Sequence, residues 1–161
     1  MKMVESQIKV GEVVSDFSAK SSSGNEFLLS NLIGKKVILY FYPKDDTPGC
    51  TLQGRDFTRL KSTFAELNTV VVGVSRDNLN SHQKFIDKCE LGIELLSDED
   101  EKLCRMFDVI KEKDMYGKKV LGIERSTFVI DENQTLIAEF RKVSADGHAE
   151  QLISFLRERS N

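Results

Sequence analysis

At 161 residues the chain suits one domain built around a single core. Apolar residues make up 40% and charged residues 30%, as in a globular protein that folds in water. A formal charge of −3, with both signs spread along the chain, excludes a basic stripe for nucleic acid and a tail of like charges. The longest apolar runs, VILYFY and VVVGV, fall far short of the roughly 20 residues that span a bilayer. The leading MKMVESQIKVGEVV has no secretory core, so the expectation is a cytoplasmic protein without membrane contact.

In chain order, SDFSAK and EFLLS flank the turn SSSGNE and predict an N-terminal hairpin. KKVILYFYP is short, β-branched and aromatic, as expected of a strand buried on both faces. Helical spacing of Phe57, Leu60, Phe64 and Leu67 predicts a helix through 48–67. NTVVVGVS (68–75) is a second strand. Leu79, His82, Phe85, Ile86 and Cys89 form the apolar stripe of a helix over 79–91, and GIELLS (92–97) is a third strand. A short helix is expected over 98–107 with Ser97 as its cap. EKDMYGKKV reads as a mobile, charged, solvated loop. RSTFVID (125–131) and TLIAEFRK (135–142) predict a hairpin closed by ENQ. A final helix after Asp146 turns Leu152, Ile153 and Leu156 inward. Strands alternating with helices predict one α/β layered domain over 1–161, with a mixed central sheet.

Both prolines of the chain, Pro43 and Pro48, lie within eight residues of Cys50. Thr47 is suited to N-cap a helix, and Pro48 then falls at the first helical position, where its missing N–H costs nothing. Cys50 lands in the first turn, where unpaired backbone N–H groups and the helix dipole favour a thiolate. Gly54 and Phe57 follow on the face of Cys50, so its sulfur should point inward. Pro43 ends the preceding strand and stiffens the loop. A half-buried structural cysteine in an ordinary strand–loop–helix connection competes with this reading. The position beyond a strand's C-terminal end, where open α/β sheets bind ligands, brings the two readings to even weight.

YPKDDTPGCT resembles the active-site segment of the peroxiredoxins, whose Pro-x-x-x-Thr-x-x-Cys pattern is met by Pro43, Thr47 and Cys50. With LLSDEDEKLCRMFDV and YGKKVLGIERSTFVID in order, the chain is similar to the bacterioferritin-comigratory, or Q-type, thiol peroxidases. The resemblance implies a thioredoxin-like fold with an N-terminal extension. It implies reduction of hydrogen peroxide and organic hydroperoxides without metal or organic cofactor, in antioxidant defence. It also implies that Arg125 is the active-site arginine, a position that alone reads as a surface cation. The implied reductant is thioredoxin, with glutathione or glutaredoxin open, and the implied state is a monomer.

On that resemblance Cys50 attacks a peroxide oxygen and becomes a sulfenic acid, while Arg125 and backbone N–H groups hold the charge on the departing oxygen. Thr47 aligns the peroxide and Pro43 shields it from water. Acidity alone does not suffice. Lowering a cysteine pKa from about 8.5 to about 6 raises its thiolate fraction at pH 7 roughly 30-fold. The weaker nucleophile gives back roughly tenfold of that. Stabilising the breaking O–O bond must supply the rest.

The second cysteine that many relatives carry five residues on is here Arg55. Others carry it on the helix after the second central strand, where this chain has Ile86. Cys89, one turn later on the same face, is the resolving candidate. Cys104 is a weaker one, and direct attack by an external thiol carries at least the weight of Cys89. A dithiol reductase needs C-x-x-C, but Thr47 and Gln53 flank Cys50 at that spacing. Zinc needs paired ligand spacing, which Cys50, Cys89, Cys104, His82 and His148 lack. His82 itself reads as packing or a solvated edge. A redox-regulated binding or holdase protein with little turnover is the non-enzymatic alternative.

Overall fold

A computed structural model of the protein describes residues 8–159. The reading of the N-terminal stretch therefore falls partly on residues 1–7, outside the described residues. Strands β1 (Ser18–Ser21) and β2 (Glu26–Leu28) form the expected hairpin, followed by a 3-10 turn over Leu29–Leu32. Then come β3 (Lys36–Phe41), α1 (Pro48–Arg59), α2 (Lys61–Glu66), β4 (Thr69–Ser75), α3 (Leu79–Cys89) and β5 (Glu94–Ser97). The chain continues through α4 (Lys102–Met106), β6 (Ile110–Met115), β7 (Lys118–Ile123), β8 (Ser126–Ile130), β9 (Leu136–Phe140) and α5 (His148–Arg159).

Seven strands form a mixed sheet in the order β2-β1-β5-β4-β3-β8-β9. The central β3 and β4 run parallel, as do β4 and β5, while β8 lies antiparallel to β3. The N-terminal hairpin extends the sheet through β1 on β5. Alternate residues of β3 feed two cores. Ile38, Tyr40 and Tyr42 join Cys50, Phe57, Phe85, Cys89 and Leu152 under α1, α3 and α5. Val37, Leu39 and Phe41 join Phe17, Phe27, Leu103, Cys104 and Phe128 on the opposite face. This two-sided burial explains the near-continuous apolar run in the sequence of β3. Among the described residues no helix is long and apolar enough to cross a membrane.

Three expectations are corrected. The helix predicted through 48–67 breaks at Leu60, whose φ of −99° and ψ of 10° close α1 and let α2 turn Phe64 onto the sheet. Apolar spacing alone does not reveal such a change of axis. Ser97 does not cap the next helix: it ends β5, and its hydroxyl donates to the Asp77 carbonyl at 2.7 Å. The Asp98 carboxylate instead accepts the N–H groups of Leu103 and Cys104, at 2.9 and 2.8 Å, and the helix starts at Lys102. EKDMYGKKV is not an unstructured loop. It forms the turn and much of both strands of a two-stranded ribbon, β6 on β7, folded at Tyr116 and Gly117, both with positive φ. Its charged side chains stand on a backbone that is fully paired across the ribbon, so composition hides the strands.

Candidate active site

Cys50 sits at the start of α1, just beyond the C-terminal end of β3. Thr47 adopts the extended N-cap geometry, φ −104° and ψ 156°, and its carbonyl accepts the first helical N–H, from Thr51, at 2.8 Å. Pro48 at the first helical position fits this start. The N–H groups of Gly49 and Cys50 precede the first helical bond and face the site with the positive end of the dipole. The Thr47 side chain does not cap the helix as expected. Its hydroxyl donates to the Lys44 carbonyl at 2.8 Å, which commits its proton there.

Phe57 anchors the helix two turns on: its ring stacks on Tyr40 with centroids 4.5 Å apart, and both are fully buried. Such a stack contributes roughly 0.5–1.5 kcal/mol beyond its buried area. Gly54 lies against Leu91, where a Cβ would come within 3.2 Å of that side chain. The sulfur of Cys50 thereby points inward, with 1% of the residue exposed.

Register brings Arg125 to the same place. Phe41 at the end of β3 pairs with Ser126 at the start of antiparallel β8, so the residue before Ser126 stands at the sheet edge beneath α1. Arg125 Nη2 donates to Cys50 Sγ at 3.4 Å, and Nη1 donates to Gln53 Oε1 at 2.7 Å. A Cβ on residue 49 would lie 3.0 Å from Nη2, so the glycine leaves room for the guanidinium. Pro43 is half-buried at the head of the loop. The structure therefore brings Arg125 onto the Cys50 sulfur, with Thr47 at the N-cap of the same helix and Pro43 in the loop that leads to it.

The other two cysteines separate. Cys89, 6% exposed at the end of α3, shares the core of Cys50. Cys104 lies in the opposite core, across the sheet from Cys50. Burial, and then the Asp98 carboxylate, push the Cys104 thiol far above its ordinary range.

Several residues escaped the sequence reading. Gln53 is fully buried and orients Arg125, and its position on the Cys50 face of α1 was the available signal. Lys113, on the ribbon, donates to the Ile123 carbonyl at 2.5 Å. Burial lowers its pKa first, then the charges of Arg125 and Arg76, against a smaller raising effect from Cys50. His82 is neither apolar packing nor a solvated edge, but the centre of a buried polar network with Asp45. Among the described residues no cluster of three or more His, Cys, Asp or Glu could hold a metal ion.

A layered α/β fold with a cysteine in the first turn of a helix and an arginine on its sulfur defines a thiol-based redox enzyme of the thioredoxin fold. Residues 10–139 match the model of the AhpC/TSA family. Peroxiredoxin Bcp of Bacillus subtilis is 44% identical over 153 residues, which cover 95% of this chain and 98% of that protein. The structure of a cysteine mutant of Xylella fastidiosa PrxQ superposes with a TM-score of 0.92 at 38% identity, covering 98% of this chain and all of that one. The bacterioferritin comigratory protein of Xanthomonas campestris superposes with a TM-score of 0.85 at 43% identity, over 90% and 92% of the two chains. The chain belongs to the AhpC/TSA family, as a peroxiredoxin of the Bcp, or Q, type. It is a thiol peroxidase, an oxidoreductase that reduces hydroperoxides.

Proposed function

We propose that the chain, acting as one domain, reduces hydrogen peroxide and alkyl hydroperoxides through Cys50, with Thr47, Arg125 and Pro43 completing the site. The observation that carries this is the 3.4 Å contact between the Arg125 guanidinium and the Cys50 sulfur at a helix N-terminus. The Cys50 thiolate attacks the terminal oxygen of ROOH. An S–O bond forms, the O–O bond breaks, and its electron pair leaves on the alkoxide, which takes up a proton as ROH. Arg125 and the N–H groups of Gly49 and Cys50 stabilise the charge that develops on the reacting oxygens. Because the Thr47 proton is committed to Lys44, its lone pairs accept the hydroperoxide O–H and line the O–O bond up with the sulfur. Pro43 excludes water from the loop side. The X. campestris relative is known for alkyl peroxide reduction activity, which supports the second substrate class.

The resulting sulfenic acid is reduced by a thiol, with water leaving. Cys89 is the internal resolver this reading favours over Cys104, because it shares the core of Cys50 while the sheet separates Cys104 from it. Both thiols are buried, a disulfide between them needs Cα atoms within about 7 Å, and this reading includes movement of the helices that carry them. A thioredoxin-type dithiol protein then reduces the disulfide. Free, buried cysteines suit a reducing cytoplasm, and the chain works there as a monomer.

Intact mass after one equivalent of hydrogen peroxide tests the reading. Loss of two hydrogens, absent in Cys89→Ser, is the expected result. Gain of one oxygen in the wild type assigns resolution to an external thiol. No change at Cys50 refutes the peroxidase site.

A further inference from the structure

The loop between β3 and α1 holds an unusual conformation at one point. Asp46, directly before Thr47, has φ of 60°, a left-handed geometry that a non-glycine side chain rarely adopts. Such a residue persists only where its surroundings over-determine it. Asp46 itself accepts from Lys88 Nζ of α3 at 2.8 Å, at the surface, and its neighbour Asp45 is held from inside. Its N–H donates to Asp77 Oδ2 at 2.8 Å. Its carboxylate, 6% exposed as a residue, accepts the Tyr42 hydroxyl at 2.6 Å, the Ser81 hydroxyl at 2.8 Å and the His82 Nδ1 side at 2.7 Å.

His82 is fully buried on α3, and its Nε2 lies 2.8 Å from the Leu96 carbonyl. That carbonyl can only accept, so Nε2 carries a proton. The loop is thus tied to the first turn of α3 by the 2.7 Å hydrogen bond between Asp45 Oδ2 and His82 Nδ1, inside a buried pair.

For stability alone an apolar pair of similar volume would serve as well or better. A pair that persists here fits a positional role, because its geometry is directional where apolar packing is not. The tie acts two residues before Thr47 and five before Cys50. Asp77 is held in turn by the Ser75 hydroxyl at 2.7 Å, at the end of β4, so the anchor reaches the rigid centre of the sheet.

We propose that Asp45 and His82 are a positioning pair for peroxide reduction: the buried hydrogen bond between them fixes the loop that presents Thr47 and the first turn of α1 to the hydroperoxide. Neither residue touches the sulfur or the peroxide. They act through Asp46 and Thr47. The inference rests on the peroxidase reading of the same site.

The test compares two rates at Cys50, each read by quenching and intact mass, since the chain has no tryptophan. Oxidation by hydrogen peroxide depends on how Thr47 and the helix turn align the O–O bond. Alkylation by iodoacetamide reports only access and ionisation of the sulfur. His82→Gln keeps a donor, but both of its N–H groups sit on one nitrogen, whereas the imidazole reaches Asp45 and Leu96 through two nitrogens on separate sides of a rigid ring. It is expected to slow oxidation about 10- to 100-fold while alkylation changes less than about threefold. Ser81→Ala, which removes one bond to the same carboxylate and spares the buried pair, should move the ratio the same way by a smaller factor, and it decides the matter if His82→Gln does not fold. Oxidation and alkylation falling by equal factors, or neither changing, overturns the positioning role while leaving the peroxidase intact. A wild type that peroxide does not oxidise overturns both.

Discussion

Gly49→Ala offers a substitution whose effects on rate and on stability should have opposite signs. A Cβ there lies 3.0 Å from Arg125 Nη2, 3.7 Å from Cζ and 3.9 Å from the Ala145 Cβ. Nonbonded heavy atoms settle near about 3.5 Å, so the guanidinium must retreat by roughly 0.5 Å. The backbone pays nothing, because an alanine in a helix is favoured over glycine by up to about 1 kcal/mol. The melting temperature should hold or rise by about 1–3 °C.

The cation, however, moves from 3.4 Å toward roughly 3.9 Å from the sulfur. At an effective dielectric of about 20, its attraction for a sulfur anion falls by about 0.6 kcal/mol, worth at most about threefold in alkylation. Alignment is more sensitive: a 1 Å error costs about 100-fold, so half of that displacement costs roughly tenfold in peroxide turnover. Paired rate measurements with hydrogen peroxide and iodoacetamide, beside a thermal melt, read all three quantities. A variant that melts like the wild type and turns over peroxide within twofold of it would refute the claim that guanidinium placement limits the rate.

Arg125→Lys keeps the charge but replaces a two-pronged donor that spans Gln53 and Cys50 by a single ammonium, and peroxide oxidation should fall about 100- to 1000-fold, far more than alkylation; equal losses in both rates would contradict this. Cys104→Ala should cost about 1 kcal/mol in urea unfolding and leave peroxidase turnover unchanged, because its thiol is buried across the sheet from Cys50. His148 is held neutral: burial lowers its pKa below the ordinary 6.5, and Arg125 adds to this against the Gln151 contact. The unfolded chain thus binds a proton that the folded one refuses, so stability is full above about pH 6.5 and falls as pH drops toward the lower folded value. In His148→Gln the fall in urea midpoint from about pH 7.5 to about pH 5 should shrink, and an unchanged fall would show that His148 plays no part in it.

What the sequence by itself determined is local. Apolar runs such as VILYFY and VVVGV marked the buried strands, because burial on both faces leaves no polar positions to confuse the pattern. The helix start at Pro48 and the position of Cys50 in the first turn were legible because a proline's fixed φ and missing N–H suit the first helical position, although the expected Thr47 side-chain cap is not made. Composition misled where backbone pairing rather than side-chain burial makes the element, as in the β6–β7 ribbon, and where a cap comes from a neighbouring residue, as with Asp98.

Only the tertiary structure decided what meets across long stretches of chain. Arg125 reaches Cys50 because β8 pairs antiparallel with β3 in the register that sets Ser126 against Phe41, and no local pattern encodes that pairing. Cys89 and Cys104 look alike as cysteines on amphipathic helices, yet the two faces of one sheet divide them. His82 continued an apolar stripe in sequence and met a carboxylate from 37 residues away in space. Each of these contacts is fixed by which strand lies beside which and by the face a helix covers, and those are properties of the packed chain as a whole.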